Sequence, residues 1–509
     1  MDDGIPSLNT AHIKGSMNEE LESTLKDYSA IQAAIEQLHW DQETMMPKNG
    51  LPMRKAQLSY LTEEAQDILT SERLEKALSS YEDSDDETHH AVVRELRRIQ
   101  ERAKQVPSAL TKKVSDAETE TVEVWRRARK EDDFSVFKDR LEEMVSLKQD
   151  VAEAIDDTRE PYEVLFEAYE PHIEMETVER IFDHLTKELP RRLERVKQSD
   201  VSTPSPFTGS FDAETQEQVA KGIMADLGLS PENSRLNLST HPFTVGSPFE
   251  TRITTRIDES DMMKALSSTV HECGHGLYAV GLDEDNWWNP LGWDRDLTVH
   301  ESQSRFWENH VGHRQSFFDY LLPVLNRHFR GEFDEVTSRE AYEAVNAVKE
   351  DNYIRTEADE LTYHLHVAIR FEIGRDLING DLAVDDLQEA WNERMESYLG
   401  LSPDTVKEGV LQDIHWAQGQ FGYFPTYTLG SMLAAQLNEA IEDDVDVDGA
   451  IRNEDFEEIL GWHSQRVHRH GQRLTTPELI RSATGGELRV DAYLDHIDAK
   501  LHDVYDVRM

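Results

Sequence analysis

The sequence predicts a mainly α-helical protein with one small β element beside a buried helix. Apolar residues recur at helical spacing along most of the chain, whereas a single stretch, 236–257, alternates as strands do. No repeat, long linker or low-complexity block separates the helices. We therefore expect one continuous helical architecture over 18–509 rather than a string of independent domains.

The residues before this architecture have a different composition. Positions 1–17 lack periodicity and are rich in small and polar residues, which is typical of a disordered leader or an appended extension, with Met17 as a candidate natural start. The 509 residues contain no signal peptide and no apolar run long enough to span a bilayer. The single cysteine, Cys273, excludes an intramolecular disulfide and fits a reducing compartment. We expect a cytoplasmic protein.

The first half of the chain is expected to be helical up to the alternating stretch. Amphipathic segments cover 21–40, 53–80, 87–104, 108–130, 134–156, 176–198 and 213–227. Pro107 separates two of these segments, and Pro190 is expected to interrupt or kink the one that contains it. Within 236–257 we expect two short strands that form a hairpin.

The second half begins with the buried helix. Asp258 to Asp261 supply capping residues for its start, and Gly281 is expected to end it. A helical segment then opens near Thr298 and runs through Phe317. Further helices are expected at 338–378, 385–399, 426–441, 456–471 and 477–481.

The buried helix carries an H-E-x-x-H pattern, His271-Glu272-x-x-His275. Two imidazoles four residues apart lie on one helix face and can reach the same metal ion. Glu272 can sit beside that metal and accept a proton from a bound water. The competing interpretation is two ordinary helix histidines, because a chain rich in His and Glu also produces the pattern by chance. Cys273 lies on another side of the helix, where we expect a buried thiol rather than a ligand.

A third ligand is expected from the next helical segment. A catalytic zinc takes three protein ligands and leaves one position open for water, and His₂Glu is a known set. A carboxylate at the start of an adjacent antiparallel helix can face the two histidines, so we select Glu301. His310 and His313 are weaker candidates further along, and we interpret them as structural or surface residues.

The charge balance is strongly acidic, with 102 acidic against 53 basic residues and a net charge of −49. Such a surface repels nucleic acids and anionic membranes, so we exclude both as partners. The acidic residues are spread along the chain, unlike those of a disordered acidic tail. We interpret this distribution as adaptation to high salt, where counterions screen the self-repulsion. The alternative is an ordinary acidic cytosolic enzyme.

Six motifs in order resemble the signatures of the thermostable (Taq-type) metallocarboxypeptidase family. They are His241-Pro242-Phe243, Glu250-Thr251-Arg252-Ile253-Thr254, His271-Glu272-Cys273-Gly274-His275, His300-Glu301-Ser302-Gln303, Ile354-Arg355-Thr356-Glu357-Ala358-Asp359 and Gly409-Val410-Leu411-Gln412-Asp413-Ile414-His415-Trp416. The resemblance continues in the flanking residues 40–44 and 304–309 and covers nearly everything after 1–17. The second motif departs from the family, which has Asp at the position of Glu250, so the side chain here is one methylene longer.

The resemblance implies a mainly α-helical fold with a deep central groove and a few short strands at its wall. It implies a homodimer that removes single C-terminal residues from peptides with broad specificity. It also implies His271, His275 and Glu301 as ligands of a zinc ion, with cobalt as an alternative, and Glu272 as the catalytic carboxylate. Metal chemistry alone selects the same four residues.

Substrate-binding residues are expected among the remaining motifs. A carboxypeptidase must bind a free carboxylate, which suits the planar fork of arginine. Arg355 is the first candidate and Arg252 the second; the alternative for each is a structural ion pair, with Asp359 or Glu250 respectively. His241 lines a substrate subsite or fixes the turn before Pro242.

The oxyanion formed during peptide hydrolysis needs hydrogen-bond donors beyond the metal. His415 and Tyr423 are the candidates, in a stretch expected to fold back over the groove, and core packing is the alternative for Tyr423. Two other functions compete. An endopeptidase would share the metal ligands but would not need the arginine, so amidated peptides separate the two. A non-enzymatic metal-binding protein would not need Glu272.

Overall fold

The computed structural model describes residues 17–509, so the predicted leader, apart from Met17, lies outside the described residues. From residue 17 onward, nine α-helices precede the sheet: α1 (Glu19–Thr44), α2 (Leu51–Thr70), α3 (Glu72–Ser79), α4 (Glu87–Gln105), α5 (Ser108–Glu131), α6 (Ser135–Ile155), α7 (Pro161–Phe166), α8 (Met175–Lys197) and α9 (Ala213–Asp226). The strands are β1 (Ser234–Leu238), β2 (Thr244–Gly246) and β3 (Thr251–Thr255). The helices after the sheet are α10 (Met262–Val280), α11 (Leu297–Arg305), α12 (Gln315–His328), α13 (Ser338–Val345), α14 (Glu360–Asn379), α15 (Leu387–Leu399), α16 (Pro425–Glu442), α17 (Val447–Arg452), α18 (Phe456–Arg466), α19 (Thr476–Thr484) and α20 (Asp491–Tyr505). The predicted mainly α-helical class with a small β element is confirmed.

In the first half of the chain one prediction is wrong and another is wrong in part. The segment 53–80 is two helices, because the Ser71 side chain accepts the backbone N–H of Leu74 and starts α3 there. Of the interruption or kink expected at Pro190, the interruption is absent, since α8 continues through this residue. Buried leucines on either side of Pro190 keep the apolar face of α8 packed along its whole length.

The predicted helix over 338–378 is also wrong. α13 ends at Val345, and α14 starts at Glu360 after an irregular segment that includes the 3₁₀ turn Arg355–Glu357. The Asp359 side chain accepts the N–H groups of Leu361 and Thr362, which begins α14 at that point. The break places Arg355 in a turn rather than on a helix face.

Three further corrections concern helix ends and missed helices. The helical segment predicted from Thr298 to Phe317 is helical up to Gly312, first as α11 and then as the π-helical segment Phe306–Gly312, and it breaks only at residues 313–314, before α12 begins. α18 ends at Arg466, short of the predicted 471. The helices α7, α17 and α20 were not predicted; α7 and α17 have only six residues each, too few to display a helical period.

The sheet contains the predicted hairpin and one additional strand. β2 and β3 pair antiparallel, with Val245 opposite Arg252, while β1 pairs parallel with β3. The order β1-β3-β2 makes β3 central and leaves β2 at an edge. The expectation of only two strands is therefore wrong: residues 239–243 carry the chain across the end of β3 before it pairs again.

The buried apolar residues fall into two clusters within 17–509. The larger contains residues from most helices, and α10, α14 and α16 are buried around nearly their whole circumference. The smaller joins α1 to α4, with Trp288 and Trp293 packed against it. None of the described helices has both the length and the apolar character that crossing a membrane requires.

Candidate metal centre

α10 carries the H-E-x-x-H residues and has the ends that the sequence predicts. The Asp261 side chain accepts the N–H of Met263 at its start, and Gly281 follows its last residue. His271 and His275 lie on one face and are partly exposed, whereas Cys273 is fully buried on another side. Burial raises the pKa of the Cys273 thiol. The prediction of a buried thiol is confirmed.

Two glycines allow close contact around α11. A Cβ atom on Gly274 of α10 would lie 2.5 Å from the Cα of Ser304. A Cβ on Gly430 of α16 would lie 2.6 Å from the Cβ of Glu301. The backbones of α10 and α16 can therefore approach α11 from two sides, which directs Glu301 towards the histidines.

His271, His275 and Glu301 form a group that could hold a divalent cation. The Glu301 Oε2 lies 3.8 Å from the His271 Nε2 and 3.5 Å from the His275 Nε2. Ligand atoms at about 2.1 Å from a tetrahedral ion are about 3.4 Å apart, so only small shifts separate these atoms from a coordination shell. The donor set, two imidazoles and one carboxylate, is one that zinc accepts.

The other ring nitrogen of each histidine has a partner of its own. The His271 Nδ1 lies 2.8 Å from the Glu308 Oε2, and the His275 Nδ1 lies 2.5 Å from the His300 Nδ1. If the Nδ1 atoms of His271 and His275 carry the protons, these two contacts are hydrogen bonds, and the Nε2 lone pairs of both residues face Glu301. Such partners fix the orientation of metal-binding imidazoles.

Arg305 connects the two carboxylates of this site. Its Nε donates to the Glu301 Oε1 at 2.7 Å and its Nη1 to the Glu308 Oε2 at 3.1 Å, and its guanidinium lies over the Tyr363 ring at 4.5 Å. Burial acts to raise the pKa of Glu308, but Arg305 and His271 outweigh it and lower that pKa to about 2. The pKa of Glu301 is also lowered, because Arg305 and the imidazoles outweigh its burial. Both side chains are therefore carboxylates at neutral pH.

The sequence analysis missed these supporting residues. Glu301, Arg305 and Glu308 are spaced at i, i+4 and i+7, a pattern that places side chains on one helix face. This spacing could have predicted that Arg305 and Glu308 lie on the same helix face as Glu301. His300 precedes Glu301 directly, but its contact with His275 depends on how α10 and α11 pack and has no local signature.

Glu272 is 5% exposed and is held by the edge strand. The Thr244 hydroxyl donates to the Glu272 Oε2 at 2.6 Å, a contact that the sequence analysis did not foresee. Burial raises the pKa of Glu272 even though His271 and Thr244 act to lower it. A carboxylate whose pKa is raised is a stronger base than an ordinary one, which suits a group that accepts a proton and then returns it.

Arg355 is buried beside Asp413 rather than Asp359. Its Nη2 lies 2.9 Å from the Asp413 Oδ1 and its Nη1 donates to the Tyr363 hydroxyl at 3.0 Å. The Nε of Arg370 lies 2.5 Å from the other Asp413 oxygen. The expected alternative partner was wrong, because Asp359 caps α14. Two guanidinium groups share one carboxylate, so this buried cluster keeps one net positive charge.

Arg252 lies beside α1. Its guanidinium is 3.2 Å from the Glu250 carboxylate and 5.0 Å from the centre of the Trp40 ring. The ion pair considered in the sequence analysis is therefore present. The longer Glu250 side chain also accepts a bond from Gln37 at 3.4 Å, so the replacement of Asp by Glu is accommodated at the surface.

His415 lies against the arginine cluster. Its Nδ1 is 3.9 Å from the Asp413 Oδ1, and its Nε2 is 3.4 Å from the Tyr427 hydroxyl. Burial lowers the pKa of His415 to about 3, and Arg355 and His241 contribute to the lowering. His415 is neutral at pH 7 and can serve as a hydrogen-bond donor through one ring nitrogen.

Tyr423 packs beside His415, whereas His241 lies at the surface. The Tyr423 ring lies 5.4 Å from the rings of both His415 and Tyr427. Burial and then the charge of Glu301 raise the pKa of Tyr423 to about 12, so its hydroxyl keeps its proton. His241 is exposed, and its carbonyl accepts a bond from Ser239 in the segment before β2.

His310 and His313 are not part of this group. His310 is buried and, with Glu360 and His496, forms a second set of potential ligands. The Nζ of Lys500 lies 2.6 Å from Glu360, so a cation already neutralises that carboxylate. We therefore retain the structural interpretation of both histidines.

Comparison with known proteins assigns the chain to a family. Residues 20–501 match the model of the carboxypeptidase Taq (M32) metallopeptidases. The chain belongs to this family. It is 32% identical to carboxypeptidase 1 of Bacillus subtilis over 96% of this chain and 98% of that one. It is 34% identical to thermostable carboxypeptidase 1 of Pyrococcus furiosus, over 95% and 98% of the two chains.

The fold agrees with this assignment. The structure of the M32 carboxypeptidase from Deinococcus radiodurans R1 superposes with a TM-score of 0.92, at 32% identity, over 96% of this chain and 99% of that one. The family resemblance inferred from the six motifs is confirmed. This member of the family is an enzyme, a metal-dependent carboxypeptidase.

Proposed function

We propose that His271, His275 and Glu301 bind the catalytic ion, with zinc as the first choice and cobalt as an alternative. The observation that carries this proposal is the distance from the Glu301 Oε2 to the Nε2 atoms of His271 and His275, 3.8 and 3.5 Å. The remaining polar atoms of these three side chains already have hydrogen-bond partners in the protein. A divalent cation in this position lowers the pKa of water and polarises the carbonyl of the bond to be cleaved.

Glu272 is the proton carrier of the proposed mechanism. Its carboxylate accepts the proton of the attacking water, and the carboxylic acid then donates it to the departing amine. The Thr244 hydroxyl fixes one carboxyl oxygen, which leaves the other for this exchange. His415 and Tyr423 are donors to the negative oxygen that forms on the substrate carbonyl. The Tyr427 hydroxyl, 3.4 Å from the His415 Nε2, orients the His415 ring.

Arg355 is proposed to bind the C-terminal carboxylate of the peptide. Contacts lead from the metal group to this residue: Arg305 bonds to Glu301, and both Arg305 and Arg355 lie over the Tyr363 ring, at 4.5 and 5.8 Å. Arg355 and Arg370 share the single carboxylate of Asp413, and the remaining positive charge favours binding of a second carboxylate, that of the substrate. Arg252, by contrast, pairs with the Glu250 carboxylate and stacks on the Trp40 ring.

Broad specificity follows from the same contacts. The metal group acts on the main-chain carbonyl, and Arg355 acts on the terminal carboxylate, so neither interaction depends on the side chain removed. The enzyme is also proposed to act as a homodimer in the cytoplasm, as expected from its family resemblance and its single cysteine.

Incubation of metal-loaded enzyme with one peptide, followed by mass spectrometry, tests the function. We expect a ladder of products shortened by successive single residues from the C-terminus. The same peptide with a C-terminal amide should be cleaved far more slowly. Internal fragments, or equal cleavage of the amide, would favour the endopeptidase alternative.

Arg355→Ala is expected to reduce kcat/KM for free-acid peptides by about 10- to 100-fold, the range for a lost charge-assisted hydrogen bond. The preference for free over amidated peptides should narrow by the same factor. Arg252→Ala is the matched control and should leave the preference unchanged. If the two variants behave in the opposite way, Arg252 is the carboxylate-binding residue.

The acidic surface is proposed to require salt. Exposed segments such as 82–87 and 442–446 carry several carboxylates each, and they are distributed over the molecule. At low ionic strength the Debye length is about 30 Å, so these segments repel one another, whereas at about 1 M salt it falls to about 3 Å. Folding concentrates the charge, and screening therefore favours the folded state.

We expect the melting temperature and the activity both to rise from dilute buffer to molar potassium or sodium chloride. Thermal melts across a salt series at fixed metal concentration measure the first quantity. Sucrose at matched osmolality is the control, because it does not screen charge. A flat or falling curve would refute salt adaptation without affecting the peptidase assignment.

A further inference from the structure

Tyr363 lies between the proposed metal group and the Arg355 cluster. It belongs to the first turn of α14, just after the capping residue Asp359. The guanidinium of Arg305, which bonds to Glu301, lies over its ring at 4.5 Å. The Arg355 Nη1 donates to its hydroxyl oxygen at 3.0 Å. The ring face and the hydroxyl of Tyr363 therefore contact different guanidinium groups, and the proposed mechanism uses neither contact for chemistry.

The hydroxyl of Tyr363 has a proton to donate. A tyrosine hydroxyl both accepts and donates hydrogen bonds. Its oxygen accepts the N–H of Arg355, but no acceptor among residues 17–509 takes its proton. Burial raises the pKa of Tyr363, although Arg355 and Arg305 act to lower it, so the hydroxyl is protonated at neutral pH. A donor buried without an acceptor costs free energy, which favours a ligand that supplies the acceptor.

Arg355 also has donors to spare. Its Nε and Nη2 donate to the Asp413 Oδ1 at 3.2 and 2.9 Å, and its Nη1 donates to Tyr363. A guanidinium has five N–H groups, so two are left without an acceptor among residues 17–509. The rings of Phe424 and Tyr427 lie 5.6 and 5.1 Å from this guanidinium. Aromatic surfaces thus hold it in place without occupying its remaining donors.

The donors of Arg355 and Tyr363 can meet on one ligand. Arg355 is 6% exposed and Tyr363 is 7% exposed, so the two side chains are equally accessible. The hydroxyl oxygen lies 3.0 Å from the Arg355 Nη1, and its proton points away from the N–H group that it accepts. A ligand bound to Arg355 therefore comes within reach of the hydroxyl. A carboxylate has two oxygens with about four acceptor sites, enough for both N–H groups and the O–H group.

We propose that the Tyr363 hydroxyl donates a hydrogen bond to the C-terminal carboxylate of the peptide, beside Arg355. The inference rests on the proposed function, in which Arg355 binds this carboxylate, and adds a second residue that determines exopeptidase specificity. An amidated C-terminus has one acceptor oxygen, and its NH₂ group would face donors of the protein. Donors from two residues therefore discriminate against the amide more strongly than Arg355 alone.

Tyr363→Phe removes the hydroxyl and keeps the ring on which Arg305 lies. We expect kcat/KM for a free-acid peptide to fall about tenfold, the effect of one lost hydrogen bond to a charged group. The value for the matching amidated peptide should change less than about twofold. Metal content should equal that of the wild type, because Arg305 keeps its contacts with the ring and with Glu301. Equal losses for the two peptides would overturn the proposal.

A double-mutant cycle separates donation to the substrate from an effect on Arg355. Tyr363→Phe also removes an acceptor of Arg355, so a loss in the single variant can arise through that residue. In an Arg355→Ala background this indirect route is absent. There we expect Tyr363→Phe to reduce the remaining preference for the free acid by a further factor of about three or more. No further loss would overturn the proposal and leave carboxylate binding by Arg355 intact, whereas an unchanged preference in Arg355→Ala itself would overturn both.

Tyr427→Phe is the matched control. Its ring also lies beside Arg355, at 5.1 Å, but its hydroxyl is 3.4 Å from the His415 Nε2 rather than bonded to Arg355. The control should therefore leave the ratio of free-acid to amide hydrolysis unchanged, whatever it does to the rate. Melting temperature and metal content are measured for both variants to confirm that they fold alike. If Tyr427→Phe narrowed the preference as much as Tyr363→Phe, the proposal would be overturned.

Discussion

Replacing Glu272 with glutamine is expected to reduce kcat by about 10²- to 10⁴-fold, the usual contribution of a general acid–base residue. The amide can still accept the bond from the Thr244 hydroxyl and occupies nearly the same volume. It cannot take up the proton of the attacking water. Metal content should stay at the wild-type level, because the side chains of His271, His275 and Glu301 are unchanged.

The measurement combines metal analysis with single-turnover hydrolysis of one peptide. Thr244→Val is a useful comparison, since it removes the hydroxyl that holds Glu272 but leaves the carboxylate itself. Its loss of rate should be smaller than that of Glu272→Gln. If Glu272→Gln turned over near the wild-type rate, another group would have to carry the proton.

Glu301→Ala is expected to lose bound metal and activity together. Two imidazoles alone hold zinc poorly, since catalytic zinc sites use three protein ligands. The change also leaves Arg305 without one of its two carboxylate partners at a buried position, which should lower the melting temperature even without metal.

Metal content after dialysis, activity with added zinc and the melting temperature are the three readouts. Glu272→Gln serves as the control, because it should lose turnover while keeping its metal. A Glu301→Ala protein that retained one ion per chain would show that the third ligand lies elsewhere.

The sequence predicted the metal group because its geometry is mostly local. His271 and His275 are fixed relative to each other by one helical turn, and the caps at Asp261 and Gly281 could be recognised from residue type. Glu301 required only that two consecutive helices pack against each other. These relations depend on few contacts, so periodicity and metal chemistry were sufficient.

The surroundings of the metal group depended on contacts distant in the chain. Asp413 reaches Arg355 from 58 positions away, and no local pattern distinguishes it from the nearer Asp359. The parallel pairing of β1 and the π-helical segment after α11 likewise arise from tertiary packing rather than from propensity. The helix break before Asp359 was missed because apolar periodicity continues on both sides of it.

The two glycines beside α11, Gly274 and Gly430, bear on the spacing of the helices that carry the proposed metal ligands. Packed helices commonly lie about 8–10 Å apart, a spread of about 2 Å that side-chain size decides. The distances from a bound metal ion to its ligand atoms, by contrast, vary by only about 0.2 Å. Gly274 and Gly430 have no side chain to set this spacing, so α10 lies directly against the backbone of α11, and α16 lies directly against the Glu301 side chain. The selectivity of the proposed metal group would thus depend in part on two positions that contribute no donor atom, and a comparison of ligand residues alone would overlook them.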